Sequence, residues 1–371
     1  MLWMREALTL AREAMALAHP NPRVGAVVIK DGRKIGEGFH EYDKRDHAEI
    51  VALRQAGPKA RGATLYVNLE PCCTIGRTGP CTRAIIAAGV KHVYAAMKDP
   101  NPAVAGRGFA DLKRAGVEVH VGIDEENARG MNEDFAKWIR TGIPFVTLKT
   151  ALTLDGQIAM RSRRPTKITG DASRKAVHRL RHSADALVTG IGTVLADDPL
   201  LTDRSGERRR RKLLRVVLDS RLRLPVNSRL VKSADGDVTV FTAQSADSAR
   251  ARALRRAGVE VVRIPGRGRR VSLADVLREL SRREMLHVLL EAGAEMNGAA
   301  LEAGIVDKMV LFYAPKIMGT GGVPLARIRA ARWFPKSPAL TNVSVNPYRT
   351  DFIVEGYFRD VYRDRRSPRK N

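Results

Sequence analysis

One histidine, one glutamate and two cysteines have the residue types and spacing of a catalytic zinc site. His47 and Glu49 lie two residues apart at the predicted start of a helix, Cys72 follows a predicted strand, and Cys81 opens a further helix. A catalytic zinc ion takes three protein ligands and leaves a fourth position for water, whose pKa it lowers to about 7. We therefore expect His47, Cys72 and Cys81 to bind the metal and Glu49 to carry protons.

These residues match the signature of zinc nucleobase deaminases at all but one point. The signature is His-x-Glu followed by Pro-Cys-x-x-Cys. His47-Ala48-Glu49 and Pro71-Cys72 are present, but eight residues rather than two separate Cys72 from Cys81. His47 alone would be an ordinary surface histidine; the set of four residues is what indicates zinc. Cys73 adjoins a ligand and would point the other way along the chain, so we expect it to be a bystander.

Length and composition favour a two-domain protein without a membrane span. The chain has 371 residues, and its hydrophobic fraction of 44% is sufficient for folded cores. No run of about 18 apolar residues is present, and the N-terminus has the pattern of an amphipathic helix rather than a signal peptide. All three cysteines lie between positions 72 and 81. That clustering favours metal ligation over disulfides and predicts a cytoplasmic location.

The formal net charge of +25 leaves two kinds of partner open. Lysine and arginine concentrate at 208–212, at 267–270 and in the tail at 363–370. Such runs are compatible with a nucleic-acid ligand and with attraction of phosphorylated small molecules. The runs lack interleaved aromatic side chains that would stack on bases, and aromatic residues are only 5% of the chain. We therefore expect a small phosphorylated ligand rather than nucleic acid.

Alternating helices and strands predict that the first half is an α/β sandwich with a mixed or parallel sheet. The apolar pattern predicts, in order, a helix over 3–18, strands over 24–29 and 34–39, a helix over 47–55, a strand over 63–68, a helix over 82–88, a strand over 92–96, a helix over 106–115, a strand over 118–122 and a helix over 124–140.

The sequence Thr141-Gly142-Ile143-Pro144 breaks this pattern and marks a domain boundary. We predict a first domain over 1–143, a second α/β domain over 144–358, and a basic tail over 359–371 that has the composition of a disordered segment. In the second domain the pattern predicts strands over 144–151, 186–190, 215–219, 238–242, 259–264 and 287–291, and helices over 172–183, 246–257, 273–283 and from about 295.

Several stretches resemble one known family. The long loop Pro71-Cys72-Cys73-Thr74-Ile75-Gly76-Arg77-Thr78-Gly79-Pro80-Cys81 resembles the deaminase domain of the bifunctional riboflavin-biosynthesis deaminase–reductase family, and 21–27 resembles its N-terminal substrate loop. The stretches 148–156, 192–199 and 290–294 resemble its reductase domain. The resemblance covers about 1–355. It implies a cytidine-deaminase-like α/β/α sandwich followed by a dihydrofolate-reductase-like α/β domain, and a dimer or tetramer.

The resemblance also implies two successive reactions. Zinc-dependent hydrolysis would deaminate 2,5-diamino-6-(5-phosphoribosylamino)pyrimidin-4-one, with Glu49 carrying the proton. NADPH would then deliver hydride to C1 of the ribosyl group and open it to a ribityl chain. Asn21, His40 and Arg77 would hold the pyrimidine or its phosphoribosyl arm, although the first two could equally be loop-capping residues. The cofactors are therefore Zn²⁺ and NADPH.

In the reductase half the resemblance implies that Lys149, Asp197 and Glu291 surround the sugar carbon that accepts hydride. Gly293 would let the backbone turn tightly into a helix whose amides hold the pyrophosphate. Asp197 could also be a turn residue, and an arginine in so basic a chain is often merely solvated. The further implied contacts are Arg181, Leu201, Arg204 and Glu291 for the substrate, and Ala151, Lys167, Asp197, Gly293 and Ala294 for NADPH.

Departures from the family pattern keep two alternatives open. Pro165 and Lys167 stand where a serine and tryptophan motif is usual, and Ala292 replaces a second glycine. Cys73-Thr74 and Arg45-Asp46 also differ from the usual residues around the zinc site. One alternative is a protein in which only the deaminase half is active. The other is a nucleic-acid or tRNA deaminase with a basic appended domain.

Overall fold

The computed structural model describes residues 1–160, 167–245, 247–264, 270–328 and 339–363, which form two compact units. The first unit contains Met1–Gly142, the short segment Arg208–Arg211 and the described residues from Val361 onward. The second contains Ile143–Glu207 and Lys212–Asp360. Arg208–Arg211 therefore groups with the first unit, although it falls within the sequence range predicted for the second domain.

The first unit is built on a five-stranded sheet with the strand order β2-β1-β3-β4-β5. β1 pairs antiparallel with β2 and β3, whereas β3, β4 and β5 are parallel. The strands are β1 (Gly25–Lys30), β2 (Arg33–Phe39), β3 (Thr64–Val67), β4 (His92–Ala95) and β5 (Glu118–Val121), and the helices are α1 (Leu2–Glu13), α2 (Ala48–Ala56), α3 (Cys81–Ala87), α4 (Arg107–Arg114), α5 (Glu125–Met131) and α6 (Glu133–Thr141).

Close helix–sheet contacts form the core of the first unit. α1 and α2 both pack against β1 and β2, and α1 buries an apolar stripe that includes Met4 and Leu8. A Cβ at Gly25 would lie 2.2 Å from the carbonyl oxygen of Ala7, and one at Gly36 would lie 2.2 Å from that of Ala52. These two strand positions therefore need glycine, because no side chain fits between strand and helix.

Two predicted helices of the first unit have different bounds in the structure. The opening helix ends at Glu13 rather than at 18. The predicted single helix over 124–140 is wrong, because α5 and α6 are separated at Asn132. The buried Asn132 side chain accepts a hydrogen bond from Arg23 N–H at 2.8 Å and donates one to the Arg23 carbonyl at 3.0 Å. An asparagine that pairs with distant backbone interrupts the helix, and local sequence gives little sign of this.

The second unit is built on a nine-stranded sheet with the order β11-β10-β9-β8-β12-β6-β13-β16-β15. Its strands are β6 (Phe145–Thr153), β7 (Gln157–Met160), β8 (Ala186–Gly190), β9 (Leu214–Leu218), β10 (Val238–Thr242), β11 (Glu260–Arg263), β12 (His287–Leu290), β13 (Lys308–Ala314), β14 (Gly322–Pro324), β15 (Thr341–Tyr348) and β16 (Asp351–Tyr357). Its helices are α7 (Asp171–Ser183), α8 (Ile191–Asp197), α9 (Arg229–Lys232), α10 (Ala249–Arg256), α11 (Leu273–Arg282) and α12 (Ala294–Glu302).

The central strands of this sheet position the second candidate site. β8, β12 and β6 are parallel neighbours, so their carboxyl ends meet at one edge of the sheet, where α/β proteins bind ligands. β12 is buried at all four positions, as its apolar sequence predicted. The antiparallel pair β13–β16 and the edge strand β15 were not predicted, and neither was helix α8.

The predicted tail begins at 359 and is only partly described. Val361 and Tyr362 contact the first unit: Arg140 donates a hydrogen bond to the Val361 carbonyl at 2.9 Å, and the Tyr362 hydroxyl donates to the Arg129 carbonyl at 2.8 Å. Residues 364–371 lie outside the described residues, as do residues 265–269, which include all but the last residue of the basic run at 267–270. In the part of the chain described here, no helix combines the length and apolar character needed to cross a membrane.

Candidate functional site

His47, Cys72 and Cys81 come together in the first unit. His47 precedes the first residue of α2, and Cys81 is the first residue of α3. His47 Nδ1 is 3.4 Å from Cys72 Sγ and 3.3 Å from Cys81 Sγ. Tetrahedral zinc bound to nitrogen and sulfur would separate those atoms by about 3.6 Å. The three donor atoms are therefore spaced so that one ion can bridge them.

The chemistry of these donors also fits zinc. The hydrogen bond between the two thiols lowers the pKa of Cys72 and raises the pKa of Cys81, so the pair shares one proton. Cys81 N–H also points at Cys72 Sγ, at 3.4 Å. Thiolate and imidazole are the ligands that zinc prefers, and metal binding displaces their protons. Cys73 lies outside this group of donors.

Glu49 is a buried carboxyl group beside the three donors. It lies in the first turn of α2, and only 3% of its surface is exposed. Burial raises the pKa of Glu49, which the charge of His47 opposes, and its carboxyl group also interacts with the Cys81 thiol. A raised pKa favours a carboxyl group that both takes up and releases a proton. Its placement is that expected of a proton carrier.

Asn21 and His40 lie against the same donors. The His40 ring meets the His47 ring edge-on, with 5.1 Å between centroids. His40 Nδ1 is 2.9 Å from the Asp46 carbonyl oxygen, and Nε2 is 2.9 Å from Asn21 Nδ2. A carbonyl oxygen can only accept, so Nδ1 donates and Nε2 accepts from the Asn21 amide. Burial lowers the pKa of His40 to about 4, which keeps the ring neutral.

Arg77 lies on the exposed loop between the two zinc-site cysteines. Its Nη1 donates a hydrogen bond to the Tyr42 carbonyl at 3.1 Å, and its guanidinium carbon lies 4.0 Å from the centroid of the Tyr42 ring. The charge of Arg77 contributes to the low pKa of His40. The structure thus places Asn21, His40 and Arg77 around one site. Tyr42 was not identified from the sequence.

Glu70 is a second buried carboxylate that sequence reasoning missed. It accepts hydrogen bonds from the backbone N–H groups of Gly106 and Gly108, at 2.8 and 2.9 Å. A Cβ at Gly108 would lie 2.1 Å from the Pro71 carbonyl oxygen. These contacts fix the chain immediately before Cys72. The sequence signal that could have identified Glu70 is its position two residues before the zinc ligand Cys72.

In the second unit, Lys149, Arg181 and Glu291 form a buried ionic cluster. Arg181 Nε and Nη2 donate to the two Glu291 oxygens at 2.8 and 3.0 Å, and Lys149 Nζ lies 3.6 Å from Glu291 Oε2. Burial lowers the pKa of Lys149. Burial also raises the pKa of Glu291, but the charges of Lys149 and Arg181 outweigh it and lower that pKa to about 2.

The two arginines expected to hold phosphate have different surroundings. Besides Glu291, Arg181 donates to the Thr202 carbonyl at 3.0 Å, so its guanidinium is engaged within the protein. Arg204 is exposed, and its backbone N–H donates to His178 Nδ1 at 3.2 Å. Burial and the charges of both arginines lower the pKa of His178. His178, which the sequence did not single out, therefore lies near Arg181, Arg204 and Glu291.

The residues expected to bind NADPH lie partly at the start of α12. Gly293 precedes this helix and Ala294 is its first residue. The chain does turn at Gly293 from β12, which ends at Leu290, into α12, but the turn does not need glycine. Its φ of −82° is ordinary extended backbone, and a Cβ there would meet nothing closer than Thr193 Oγ1 at 4.0 Å. The amide groups of the first turn can still hold a pyrophosphate, which is a property of any helix start.

The remaining expected contacts are more dispersed. Ala151 lies two residues after Lys149 on β6, Leu201 is buried with a φ of 56°, and Asp197 ends α8 at an exposed position. The Asp197 side chain forms no hydrogen bond or ion pair with the described residues. Lys167 is exposed. Pro165 is one of the departures from the family pattern that left reductase activity open, and it lies outside the described residues.

Both halves of the chain match known families. Residues 144–354 match the family model for the RibD C-terminal domain, and residues 1–97 match that for the cytidine and deoxycytidylate deaminase zinc-binding region. Riboflavin biosynthesis protein RibD of Aquifex aeolicus is 43% identical over 86% of this chain and 88% of its own length. The protein of the same name from Escherichia coli is 41% identical over 86% and 88%.

Solved structures of RibD proteins are also similar to this chain over nearly its whole length. A structure of Acinetobacter baumannii RibD has a TM-score of 0.84 and 38% identity, over 96% of this chain and 98% of that one. A Thermotoga maritima structure, described as a diaminohydroxyphosphoribosylaminopyrimidine deaminase/5-amino-6-(5-phosphoribosylamino)uracil reductase, has a TM-score of 0.82 and 36% identity, over 96% and 97%.

Fold and site together define a two-domain deaminase–reductase, with a cytidine-deaminase-like domain followed by a dihydrofolate-reductase-like domain. The zinc donors beside Glu49 lie in the first, and the Lys149–Glu291 cluster lies in the second. The chain belongs to the RibD family. It is a bifunctional enzyme of riboflavin biosynthesis, both hydrolase and oxidoreductase, that uses Zn²⁺ and NADPH. The predicted family, fold class and cofactors are confirmed, and a nucleic-acid deaminase is not favoured.

Proposed function

We propose that the first domain deaminates 2,5-diamino-6-(5-phosphoribosylamino)pyrimidin-4-one and that the second reduces the ribosyl group of the product to ribityl phosphate. The observation that carries this proposal is the buried Glu49 beside three donor atoms that all lie within 4.8 Å of one another. The name of the Thermotoga maritima relative, which includes both activities, supports the choice of substrates.

In the deamination step, His47, Cys72 and Cys81 hold the zinc ion. Zinc with three protein ligands lowers the pKa of water in the fourth position to about 7 and so supplies a nucleophile at neutral pH. Glu49 accepts a proton as the nucleophile forms and returns it to the amino nitrogen of the pyrimidine, which leaves as ammonia. Because burial raises the pKa of Glu49, the same group can take and give that proton.

The substrate is held by three residues around the zinc donors. The amide nitrogen of Asn21 is bonded to the neutral His40 ring, so the Asn21 oxygen is the atom that can accept a hydrogen bond from the pyrimidine. His40, which meets His47 edge-on, lines the same side. Arg77, on the exposed loop, takes the phosphoribosyl arm, because a guanidinium binds phosphate through two parallel hydrogen bonds.

When bound, NADPH would supply the hydride for C1 of the ribosyl group in the reduction step. Opening of the ring breaks the bond between C1 and the ring oxygen, and that oxygen must gain a proton. In this proposal Lys149 supplies it, and the burial that lowers the pKa of Lys149 supports the role by making the ammonium a stronger acid. Glu291 remains an anion and orients Lys149, whose Nζ lies 3.6 Å from Glu291 Oε2.

The proposed further contacts are Arg181, Leu201, Arg204 and Glu291 for the substrate, Ala151, Lys167, Asp197, Gly293 and Ala294 for NADPH, and Asp197 at the reacting carbon.

The same proposal includes the assembly, the location and the domain limits of the protein. The deaminase domain covers 1–143 and the reductase domain 144–358, with the basic tail after them. The protein forms a dimer or tetramer, which the exposed edge strand β15 supports, because Val343 and Val345 are 53% and 61% exposed there. Three free cysteines, two of which are metal donors, are compatible with a cytoplasmic enzyme.

Glu49→Gln tests the assignment of the proton carrier. We expect deaminase turnover to fall by about 100-fold or more, since general acid–base catalysis contributes at least that much. Bound zinc and reductase turnover on the deaminated substrate should stay unchanged, because glutamine preserves the shape of the glutamate side chain. Glu13→Gln, the same change at an exposed end of α1, is the matched control. A Glu49→Gln variant that deaminates at the normal rate would show that this role is wrong.

A further inference from the structure

Arg210 joins two loops of the deaminase domain that lie far from it in sequence. Its backbone N–H donates to the Ala16 carbonyl at 3.0 Å, and its Nη1 donates to the His19 carbonyl at 3.1 Å. Its Nε donates to Asp43 Oδ1 at 2.8 Å. The first two bonds hold the segment that leads to Asn21. The third holds the turn that follows His40.

Arg210 also reaches the zinc-site loop through the Tyr42 ring. Its guanidinium carbon lies 4.0 Å from the ring centroid, and that of Arg77 lies at the same distance. Both guanidinium groups therefore pack against the same tyrosine ring. Each cation is attracted to the face that it covers, and Arg77 is bonded to the Tyr42 carbonyl as well. The stack Arg77–Tyr42–Arg210 therefore orders Arg77.

Arg210 is itself held firmly enough to act as a support. The side chain is only 20% exposed and is paired with Asp43. Two positions earlier, Arg208 Nη2 lies 3.2 Å from Glu41 Oε2, which anchors the same segment to the residue after His40. An arginine is required at 210, because only a planar guanidinium can stack on a ring while its N–H groups donate in two directions.

We propose that Arg210 is a positioning residue for the deaminase substrate site, acting through the Tyr42 ring to fix Arg77 over the phosphoribosyl arm. This inference rests on the proposed function, in which Asn21, His40 and Arg77 bind the substrate. Among these contacts of Arg210, none is to Glu49 or to a zinc donor. Loss of Arg210 should therefore weaken substrate binding and leave the chemical step intact.

The test compares deaminase kinetics of full-length Arg210→Ala, Arg77→Ala and the double variant, with zinc bound. We expect KM for the diaminopyrimidine phosphate to rise about tenfold in Arg210→Ala, the size of one desolvated cation–π contact, with kcat within about threefold of wild type. Zinc content and reductase turnover should not change. If Arg210 acts through Arg77, the double variant has the KM of Arg77→Ala alone, since coupled residues are not additive.

Three further variants test the stacked ring separately and control for the loss of an arginine. Arg210→Lys retains the charge without the planar group and should restore KM only in part. Tyr42→Ala removes the ring and should raise KM as Arg210→Ala does, which tests the stack even if Arg210→Ala folds poorly. Arg114→Ala is the control, because it removes an exposed arginine of α4 in the same unit and should leave KM unchanged.

The outcomes separate this inference from the proposed function. Normal KM in Arg210→Ala and Tyr42→Ala, with a raised KM in Arg77→Ala, would overturn the positioning role and leave the substrate role of Arg77 in place. KM effects that multiply in the double variant would also overturn it, because Arg210 would then act independently of Arg77. Normal KM in Arg77→Ala would remove the substrate role of Arg77 and this inference with it.

Discussion

Glu49 and Glu291 are both buried carboxyl groups, and their surroundings move their pKa values in opposite directions. Burial raises the pKa of Glu49, and the charge of His47 opposes that only in part. Lys149 and Arg181 outweigh the burial of Glu291 and lower its pKa to about 2. Carboxyl groups separated in this way have separate tasks. Glu49 can exchange a proton, whereas Glu291 is a fixed anion that orients two cations.

The Glu291 cluster predicts a pH-dependent contribution to stability. The pKa of Glu291 is lower in the folded state than its ordinary value of 4.5, so the ionised carboxylate stabilises the folded protein above that pH. The stabilisation is lost as pH falls toward about 2. Glu291→Gln leaves two buried cations without their anion, which should cost about 3 kcal/mol at neutral pH.

Urea unfolding of wild type and Glu291→Gln, followed by fluorescence at several pH values, measures this contribution. The difference in free energy of unfolding should be largest near neutral pH and should shrink below pH 4.5. Glu302→Gln is the matched control, because it makes the same charge change at an exposed position of α12. A difference that stays constant between neutral and acid pH would contradict the assignment of a charged Glu291.

The residues proposed to act directly could be identified from the sequence, whereas those proposed to support them could not. His47, Glu49, Cys72 and Cys81 were identified because zinc chemistry demands particular residue types close together along two segments. Tyr42 and Arg210 have no such signal, since a tyrosine and one arginine in a basic run are common on any surface. Their role depends on contacts between segments separated by more than a hundred residues in sequence.

At the scale of helices and strands, α1 approaches β1 closely beside the segment that carries Asn21. Gly25 follows the segment that carries Asn21 and Arg23, and α1 packs directly above it. A Cβ at Gly25 would lie 2.2 Å from the Ala7 carbonyl oxygen and 2.5 Å from Ala11 N. These atoms are backbone, so they cannot move aside without shifting the helix.

Gly25→Ala should therefore destabilise the deaminase domain by about 1–3 kcal/mol, the usual cost of overpacking. Its thermal unfolding temperature should fall, and deaminase activity should be lost at lower temperature than in wild type. Gly130→Ala is the matched control, because a Cβ at this position in α5 meets nothing within 4 Å and alanine favours helix. Equal unfolding temperatures for Gly25→Ala and wild type would show that α1 does not contact β1 so closely.

The bounds of the elements show why periodicity predicts some of them well. β8 and β10 have the predicted bounds because short runs rich in apolar and β-branched residues, bounded by polar turns, favour strands. Periodicity did not reveal the break at Asn132, which depends on its bonds to Arg23. It also missed β15, whose side chains are almost all exposed and so give no alternating pattern.

At the scale of the whole molecule, β15 predicts how the protein assembles. This strand ends the nine-stranded sheet and exposes Val343 and Val345. An exposed apolar edge strand tends to pair with another strand. Light scattering after size exclusion should show a dimer or tetramer for wild type and a smaller species for the double variant Val343→Asp and Val345→Asp. A wild-type protein that is monomeric at every concentration would contradict the proposed assembly.

The order of the two domains along the chain was predictable because each carries a local motif. The grouping of Arg208–Arg211 with the first unit was not, because the sequence there shows only a run of arginines. That run suggested a phosphorylated ligand through its charge. In the structure, Arg210 is instead engaged with Tyr42 and Asp43.

The most direct test of the central claim follows one substrate through both reactions. The zinc-loaded protein is incubated with the diaminopyrimidine phosphate, first without and then with NADPH, and the products are measured by absorbance and mass. We expect one amino group to be replaced by oxygen without NADPH, and the product to gain two hydrogens once NADPH is added. No deamination by the folded, zinc-loaded protein would contradict the account, and deamination without oxidation of NADPH would contradict its second half.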